Sequence, residues 1–478
     1  MISKAVRRML AASLAVITAM GAAGCGKETP VETPVTDAEQ DATLPEGYTL
    51  LTDENGNVLD FGGMHVTVLD WWAEPFDKQR PRDTAFDEAK WDYIEWMEET
   101  YNFTVEEKAN GTWDTNQKDF KTYVSEPDTG EFNYVYVVRS GDALASFIDK
   151  GFMKDLNSLG VFDWNEPKFT QNNTHKSMQS GDKIFGMRTI APEPRGVVYF
   201  NKRILEEAGY EADTLYDLQK NNEWTWAKFE EVLQAVQKDI DGDQIIDIYG
   251  MVQQNIDLFT CATIVNGGSF VDKDENGNYI FNLDNPKTIE ALNWSIEIRD
   301  LYSMPAPEEG AWNWFITEFR NGKAGFMIGQ TYMAAQDLKR DQMEEDFGCL
   351  AFPLGPNSDG YRGYYTDNVY VIPGNYTDEK AQKIAKIYDL YTSDVPGFQD
   401  TEDGWKLSFY NSMRDTRSVD ESLTYLVENG TPMYEGMVSG ISLGNDILYN
   451  LGYHYAPAER AEAIKQQWQT HLDAANGR

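Results

Sequence analysis

The chain has 478 residues, and its composition narrows the range of functions at once. A hydrophobic content of 41% is enough to bury a large core, while 79 Asp and Glu against 41 Lys and Arg give a net charge of −38. A surface that binds nucleic acid needs a basic patch, and the sequence provides none. We therefore expect no nucleic-acid partner. Aromatic residues make up 13% of the chain, enough for a large aromatic core and for flat faces on which ligand rings can stack.

The first residues have the pattern of an export signal. A short basic region precedes an apolar run at 9–23, which is shorter than a membrane-spanning helix requires. The run ends in Ala-Ala-Gly-Cys at 22–25, which resembles the lipobox of bacterial lipoproteins, although that motif usually has Leu at the position of Ala22. The resemblance implies a signal peptide over 1–24 and a lipid on Cys25. Ordinary cleavage at the same place, releasing a free protein, is the alternative.

The next segment, 25–61, begins with a stretch rich in Pro, Thr and acidic residues and poor in apolar ones. Such a composition cannot bury enough surface to fold. We predict a disordered tether between the membrane and a globular body.

The globular body begins with alternating strands and helices. Apolar runs at 64–72, 103–107 and 134–138 predict strands, and 90–101 has the pattern of an amphipathic helix. Strands that alternate with helices indicate an α/β fold with a largely parallel sheet.

Further helices follow in the second half of the chain. Thr225 caps a helix whose apolar positions have spacings of three and four: Phe229, Val232, Leu233 and Val236. Pro286 occupies the first position of another, with one face formed by Ile289, Leu292 and Ile296. Thr377 caps a third helix, and a last one runs from about Pro457 to Ala474.

Several short motifs in this body resemble those of one protein family. Phe-Asn-Lys at 200–202, Ala-Gly at 208–209 and Thr-Trp at 225–226 match its order and spacing, and the segments 319–332 and 350–356 resemble later family strands. The family is the extracellular solute-binding proteins of sugar ABC importers, the group similar to maltose-binding protein. The resemblance covers about 62–475.

The resemblance implies an α/β type II periplasmic-binding-protein fold, with two discontinuous lobes joined by a hinge. Lobe 1 would comprise 62–190 plus 360–395, and lobe 2 would comprise 191–359 plus 396–478. It also implies a carbohydrate ligand, an oligosaccharide in our interpretation, held in the interlobe cleft and delivered to ABC permease subunits. No catalysis and no required cofactor are implied. We expect a monomer outside the cytoplasm, held to the bacterial cell membrane by the lipid anchor.

A sugar-binding cleft needs flat apolar faces for the rings and planar polar groups for the hydroxyls, because a buried unpaired hydroxyl costs about 1–3 kcal/mol. Candidates are aromatic and polar residues just past predicted strands, near the lobe crossings or in loops, although packing in the core is the competing role for each aromatic. The set is Trp71, Trp72, Arg139, Arg188, Arg195, Trp312, Trp314, Gln330, Tyr332, Tyr365, Asp367 and Trp405.

An acidic loop offers a possible calcium site. Carboxylates at alternate positions can converge on a hard cation, with one main-chain carbonyl adding an oxygen. The predicted ligands of a structural Ca²⁺ are Asp239, Asp241, Asp243, Ile245 and Asp247. The loop departs from an EF-hand because Gly242 is at the fourth place and Gly250 stands where the bidentate Glu would be. A solvated acidic turn is the alternative.

Two alternatives to a sugar-binding protein remain open. One is a surface glycoside hydrolase, which would use a pair of carboxylates. Gly440 to Gly444 also fits the G-x-S-x-G pattern of serine hydrolases, but it lacks the strong preceding strand that a nucleophile elbow needs. The other is a binding protein for a non-sugar solute such as a peptide. The aromatic content favours sugars over such solutes, and Arg139, Arg188 and Arg195 leave room for an acidic sugar.

Overall fold

A computed structural model describes residues 44–139, 144–189, 192–365, 368–398 and 405–477. The predicted lipidation site Cys25 and the signal peptide lie outside these residues. None of the helices in these ranges combines the length and the apolar character needed to cross a bilayer.

The described chain alternates strands and helices, as the sequence predicted. The strands are β1 Met64–Asp70, β2 Phe103–Ala109, β3 Tyr134–Arg139, β4 Gln179–Ser180, β5 Lys183–Ile184, β6 Arg195–Asn201, β7 Tyr249–Val252, β8 Val271–Lys273, β9 Tyr279–Phe281, β10 Ala324–Gln330, β11 Phe347–Ala351 and β12 Asn368–Val371. The α-helices are α1 Ala85–Tyr101, α2 Asn116–Ser125, α3 Leu144–Asp149, α4 Pro167–Thr170, α5 Thr174–Ser177, α6 Lys202–Glu207, α7 Ala212–Lys220, α8 Trp226–Val236, α9 Asn255–Val265, α10 Pro286–Tyr302, α11 Trp314–Arg320, α12 Tyr332–Gln336, α13 Asp378–Tyr391, α14 Lys406–Tyr410, α15 Thr424–Glu428 and α16 Pro457–Asn476.

Two four-stranded sheets form the cores of two lobes. The first has the order β12-β3-β1-β2, with β1 parallel to β2 and β3 and with β12 antiparallel to β3. The second has the order β11-β6-β10-β7, with β6 antiparallel to both β10 and β11 and with β10 parallel to β7. All seven residues of β6 are buried, as expected for a central strand covered on both faces.

The helix boundaries follow the signals in the sequence. The Thr225 side chain accepts a hydrogen bond from the main-chain N–H of Lys228, and the Thr377 side chain accepts one from that of Lys380, so both predicted caps are confirmed. Pro286 begins α10 as predicted. The buried stripe of α10 differs from the prediction, because Ile289 and Ile296 are only half-buried at its edge while smaller and polar residues occupy its centre.

The two connections between the lobes run side by side. The main-chain N–H of Met187 donates to the carbonyl of Tyr370 at 3.0 Å, and the N–H of Tyr370 donates back at 2.8 Å. Arg195 and Tyr364 exchange a second antiparallel pair of main-chain hydrogen bonds, at 2.9 and 3.3 Å. A pair of hydrogen-bonded strands is a narrow connection about which two lobes can bend.

The apolar core is continuous between the lobes. Leu144 and Phe147 of α3, which follows β3 of the first sheet, belong to the same buried cluster as Phe326 of β10 in the second sheet. Helix α3 also packs against the 3₁₀ turn Glu435–Met437 of the C-terminal segment. The C-terminal segment therefore contacts the first lobe as well as the second.

The structure differs from the predicted disordered tether over 25–61 in its described part, 44–61. Residues 44–61 form a hairpin region that packs on the first lobe, with the Tyr48 ring edge-on to Tyr93 and Trp96 at centroid distances of 4.9 and 4.8 Å. The Tyr101 hydroxyl donates to the carbonyl of Thr49 at 3.1 Å and accepts from the N–H of Leu51. Apolar and aromatic residues attach this region to the lobe. The acidic composition of the whole segment 25–61 hides them from a prediction that rests on composition. The lobe boundaries predicted at 190/191 and 359/360 stay a prediction.

Candidate functional site

A cavity of about 550 Å³ lies between the lobes. The first lobe contributes Arg139 at the end of β3, and the second contributes Gln330 at the end of β10. The crossing strands contribute Arg195 and Tyr365, and the C-terminal segment closes a further side with residues between Met433 and Tyr449. The ends of several strands thus meet at one crevice, where open α/β sheets bind ligands.

On the side of the first lobe, the cavity is lined by an aromatic ring that lies against a cation. Trp113 lies in the loop after β2 and is 50% exposed. The Arg139 guanidinium carbon is 3.5 Å from the centroid of the Trp113 ring. The Gln117 side-chain amide donates to the Arg139 main-chain carbonyl at 2.7 Å, which fixes the end of β3. This wall presents both a flat apolar face and a positive charge to the cavity.

The second lobe contributes a hydrogen-bonded carboxylate to the lining. Asp257, near the start of α9, is 1% exposed. Its Oδ1 accepts from the Gln330 side-chain amide at 2.9 Å and from the Tyr364 hydroxyl at 3.2 Å. These partners hold polar groups at fixed positions around a buried charge, the arrangement that a site needs to recognise hydroxyls.

The C-terminal wall contains a buried carboxyl group. Glu435 is 7% exposed, and its Oε1 accepts from the main-chain N–H of Val271 at 3.2 Å. Its Oε2 is shielded from solvent and has no hydrogen-bond partner among the described residues. Burial raises the pKa of Glu435 from 4.5 to about 7, because the ionised form loses its hydration. The group is therefore largely protonated below neutral pH.

Two predicted arginines are held beside the crossing. Glu193 accepts from Arg188 at 2.8 Å and from Arg195 at 2.9 Å, and both arginines are at least nine-tenths buried. Of the two, Arg195 lines the cavity. Its guanidinium lies 5.9 Å from the ring of Tyr332, which is half-buried behind the cavity wall. Tyr365 is at the wall itself, and burial raises its pKa to about 12.

The remaining predicted ligand residues lie elsewhere, except Asp367, which is outside the described residues. Trp71 packs on the first-lobe core, with the exposed Trp72 edge-on to it at 4.7 Å. Trp314 and Trp405 pack, half-buried, against the core that both lobes share, and Trp312 is 63% exposed at the surface. The structure thus brings Arg139, Arg195, Gln330 and Tyr365 together and separates these tryptophans from them.

Some residues of the cavity were missed by the prediction although the sequence carries a signal for them. Trp113 lies in the loop shortly after β2, which ends at Ala109, so the rule of residues just past strands applies to it. Asp257 similarly follows β7. Glu435 has no such signal, because it lies in a short 3₁₀ turn without periodic apolar residues.

The acidic loop brings together part of the predicted calcium set. Carboxylate oxygens of Asp239, Asp241 and Asp247 lie within 4.8 Å of one another. Asp243 is not part of this group, and its Oδ1 accepts from the main-chain N–H of Ile245 at 2.8 Å. Three carboxylates are hard oxygen donors of the kind that Ca²⁺ prefers. The loop itself is ordered by main-chain N–H donors, with both Asp239 oxygens accepting, from Gly242 and from Gln244.

The G-x-S-x-G pattern also lies at the cavity, but without the surroundings of a hydrolase. A 3₁₀ turn precedes it rather than a strand. The Ser442 hydroxyl accepts from the Asn445 side-chain amide at 3.0 Å. The Asp446 carboxylate accepts from the main-chain N–H of Ser442 and from the Trp468 indole, both at 3.0 Å. Among the described residues, no His is hydrogen-bonded to Ser442, so this arrangement does not provide a general base.

Two cysteines lie in the interior of the described chain. Cys261 and Cys349 are free and buried, and burial raises the pKa of each thiol well above its usual value. Neither belongs to a described disulfide or metal cluster.

Two α/β lobes, joined by paired crossing strands around a cavity, define a hinged binding protein with the type II periplasmic-binding fold. The same fold is present in the cyclic α-maltosyl-1,6-maltose binding protein of Arthrobacter globiformis, which is similar with a TM-score of 0.58 at 12% identity, covering 86% of this chain and 100% of that one. It is also present in Lmo0181 of Listeria monocytogenes, solved with cycloalternan, with a TM-score of 0.56 at 14% identity, covering 86% and 98%. UgpB of Mycobacterium tuberculosis, solved with glycerophosphocholine, is similar with a TM-score of 0.58 at 16% identity, covering 86% of this chain and 99% of that one.

The sequence comparison agrees with the fold. A profile of the family described as bacterial extracellular solute-binding protein matches residues 135–394, more than half of the chain. The chain belongs to this family, and its place is therefore outside the cytoplasm. A comparison with curated proteins gave no significant match.

Proposed function

We propose that this protein binds a carbohydrate in the cavity between its lobes and delivers it to the permease subunits of an ABC importer. The observation that carries the proposal is the lining of this cavity of about 550 Å³, which combines the half-exposed ring of Trp113 with fixed polar groups. This volume falls within the range of small-molecule sites, about 300–1,000 Å³. An apolar ring and hydrogen-bonding groups in one cavity suit a sugar, which has apolar C–H faces and polar hydroxyls.

The similar structures support an oligosaccharide, since two of the three described above bind cyclic oligosaccharides by their names. A third binds glycerophosphocholine, so the fold by itself admits other solutes. We propose that the present protein acts without catalysis and as a monomer. Ligand would shift an equilibrium between open and closed lobes, because it contacts both lobes only in the closed form.

The test is a binding screen followed by a matched pair of variants. A thermal-shift screen of mono- and oligosaccharides identifies ligands, because a ligand that binds only the folded state raises the melting temperature. Trp113→Ala and Trp312→Ala each remove one exposed indole, but only Trp113 lines the cavity. We expect Trp113→Ala to weaken sugar binding about tenfold, from lost stacking and lost apolar contact, and Trp312→Ala to leave it unchanged.

Several outcomes would contradict the proposal. If no carbohydrate shifts the melting temperature while peptides do, the ligand class is wrong. If both variants bind sugar like the original protein, the cavity is not the site. If incubation with oligosaccharides yields shorter products, the protein is a hydrolase.

We further propose that a lipid on Cys25 holds the protein to the cell membrane. The support is the sequence 22–25 together with the acidic segment that follows it. Mass spectrometry of the mature protein from membranes checks this, and an unmodified Cys25 would refute the anchor without affecting the binding function.

We also propose that the acidic loop binds one structural Ca²⁺ through Asp239, Asp241 and Asp247. The proximity of the three carboxylates supports this, because unscreened like charges so close repel and a cation would relieve the repulsion. Added Ca²⁺ is expected to raise the melting temperature of EDTA-treated protein, and Asp241→Asn to reduce the rise. Equal melting temperatures with Ca²⁺ and with EDTA would contradict the proposal and indicate a solvated acidic turn.

A further inference from the structure

Within the described part of the chain, Arg139 has no acidic partner, unlike Arg195, which also lines the cavity. Arg195 donates to Glu193 at 2.9 Å. Among the described residues, none forms an ion pair with Arg139, and the Arg139 Nε is shielded from solvent without a hydrogen-bond acceptor. A shielded N–H without an acceptor is destabilising, and a partly buried charge without a counter-charge is more so. An anionic ligand at the part of Arg139 that lines the cavity would supply the missing counter-charge.

The guanidinium is also held in place before any ligand arrives. Its flat face stacks on the Trp113 ring at 3.5 Å, and the strand end that bears it is fixed by the hydrogen bond from Gln117. Stacking leaves the N–H groups at the edge of the guanidinium available in its plane. These groups form a fork that matches the two oxygens of a carboxylate or phosphate.

We propose that Arg139 binds an oxyanionic group on the carbohydrate, so that the natural ligand is an acidic sugar. The inference rests on the proposed function, because it names the ligand class for the same cavity. The chemistry is that of a carboxylate, as in a uronic acid, or of a phosphate ester. Trp113 would contact the same sugar unit through the part of its ring that the Arg139 guanidinium leaves uncovered.

The charges around the cavity are compatible with an anion. Of the residues that the structure describes, the charged ones in the lining are Arg139, Arg195, Asp257 and Glu435. Asp257 already accepts two hydrogen bonds, and Glu435 is largely protonated below neutral pH. The net charge of −38 repels an anion at long range, but this repulsion is screened beyond about 8 Å at physiological ionic strength. The contact with Arg139 is local and partly shielded, so it persists.

The experiment compares probes that differ in charge. Isothermal titration calorimetry at a pH of about 6.5, below the titration of Glu435, would measure trigalacturonate against its methyl ester, glucose 6-phosphate against glucose, and maltotriose and mannotriose as neutral oligosaccharides. The variants are Arg139→Gln, which removes the charge, and Arg139→Lys, which keeps the charge but not the fork. Arg340→Gln is the control, since that arginine is exposed at the surface and its loss changes the net charge equally.

We expect an acidic probe to bind at least about tenfold more tightly than its neutral counterpart, from charged hydrogen bonds. Arg139→Gln should abolish this preference, Arg139→Lys should keep part of it, and Arg340→Gln should preserve it. Binding of the galacturonate alone would assign a carboxylate, and binding of the phosphate alone would assign a phosphate.

Three results would overturn the inference, and they differ in what they leave standing. If neutral oligosaccharides bind and the acidic probes do not, the ligand is neutral and the proposed function stands. If acidic probes bind equally to Arg139→Gln, another group holds the anion. If no saccharide binds at all, the inference and the proposed function fail together.

Discussion

Replacing Glu435 by Gln should stabilise the protein relative to the original chain, and this stabilisation should be larger at high pH than at low pH. The carboxyl is 7% exposed, and burial raises its pKa from 4.5 to about 7 in the folded state. The folded state therefore holds the proton more tightly than the unfolded chain does. Stability contributed by this group is complete below a pH of 4.5 and is lost as the pH rises from 4.5 to about 7.

The size of the effect follows from the two pKa values. Each unit of pKa difference corresponds to about 1.4 kcal/mol. At a pH of about 8 the penalty of ionising Glu435 amounts to about 3 kcal/mol, while at a pH of about 5 it is about 1 kcal/mol. The neutral amide of the variant carries no such penalty, so the free energy of unfolding of Glu435→Gln, relative to the original, should rise by roughly 2 to 3 kcal/mol between these pH values.

The assay is urea unfolding followed by tryptophan fluorescence at these two pH values. Any cost of fitting the amide is the same at both pH values and cancels in the comparison, because the amide oxygen can still accept from the Val271 N–H. Glu275→Gln is the control, since Glu275 is exposed in the turn between β8 and β9. The difference in free energy of unfolding between this variant and the original should be the same at both pH values. A flat difference for Glu435→Gln would refute the reasoning that burial governs this carboxyl.

Three further predictions concern positions outside the cavity lining. Gly196→Ala, in β6, should lower the free energy of unfolding by more than about 1 kcal/mol, because φ is +89° there and the new Cβ would lie 2.8 Å from the Cys261 sulfur; unchanged denaturation would contradict this. Thr84→Ala should cost about 1 kcal/mol by removing the capping box of α1, while Thr84→Ser should cost less; urea unfolding of both variants compares them. Asp70→Asn should stabilise the protein more at a pH of about 8 than at about 4.5, because burial raises the pKa of this carboxyl to about 6, and denaturation at the two pH values measures the difference.

Most of the fold could be predicted because its elements are regular. The strands of both sheets are short apolar runs, and the longer helices show apolar spacing with clear caps, such as Thr225 and Thr377. These signals are local, so they need no knowledge of distant contacts. The region 44–61 could not be predicted in the same way, because its attachment depends on a few aromatic contacts to α1.

The candidate site was accessible to prediction only in part. Arg139 and Gln330 end strands, and topology brings strand ends to one crevice, so both reach the cavity. Glu435 reaches it from a segment of short turns, where no periodic pattern states which side faces inward. Trp312 is of a residue type that suits ligand binding, but it lies at the outer surface. Residue type indicates what a side chain can do, whereas its position depends on long-range packing.

The continuous apolar cluster between the lobes has a consequence for how temperature acts on this protein. Hinge opening that separates α3 from the turn Glu435–Met437 would expose apolar surface, and such exposure increases the heat capacity. Apolar contacts weaken on cooling, so the cleft should open more readily in the cold. A calorimetric titration would register this as a negative heat-capacity change on binding, in proportion to the apolar surface that closure buries. Temperature would thus set the ratio of open to closed protein before ligand binds.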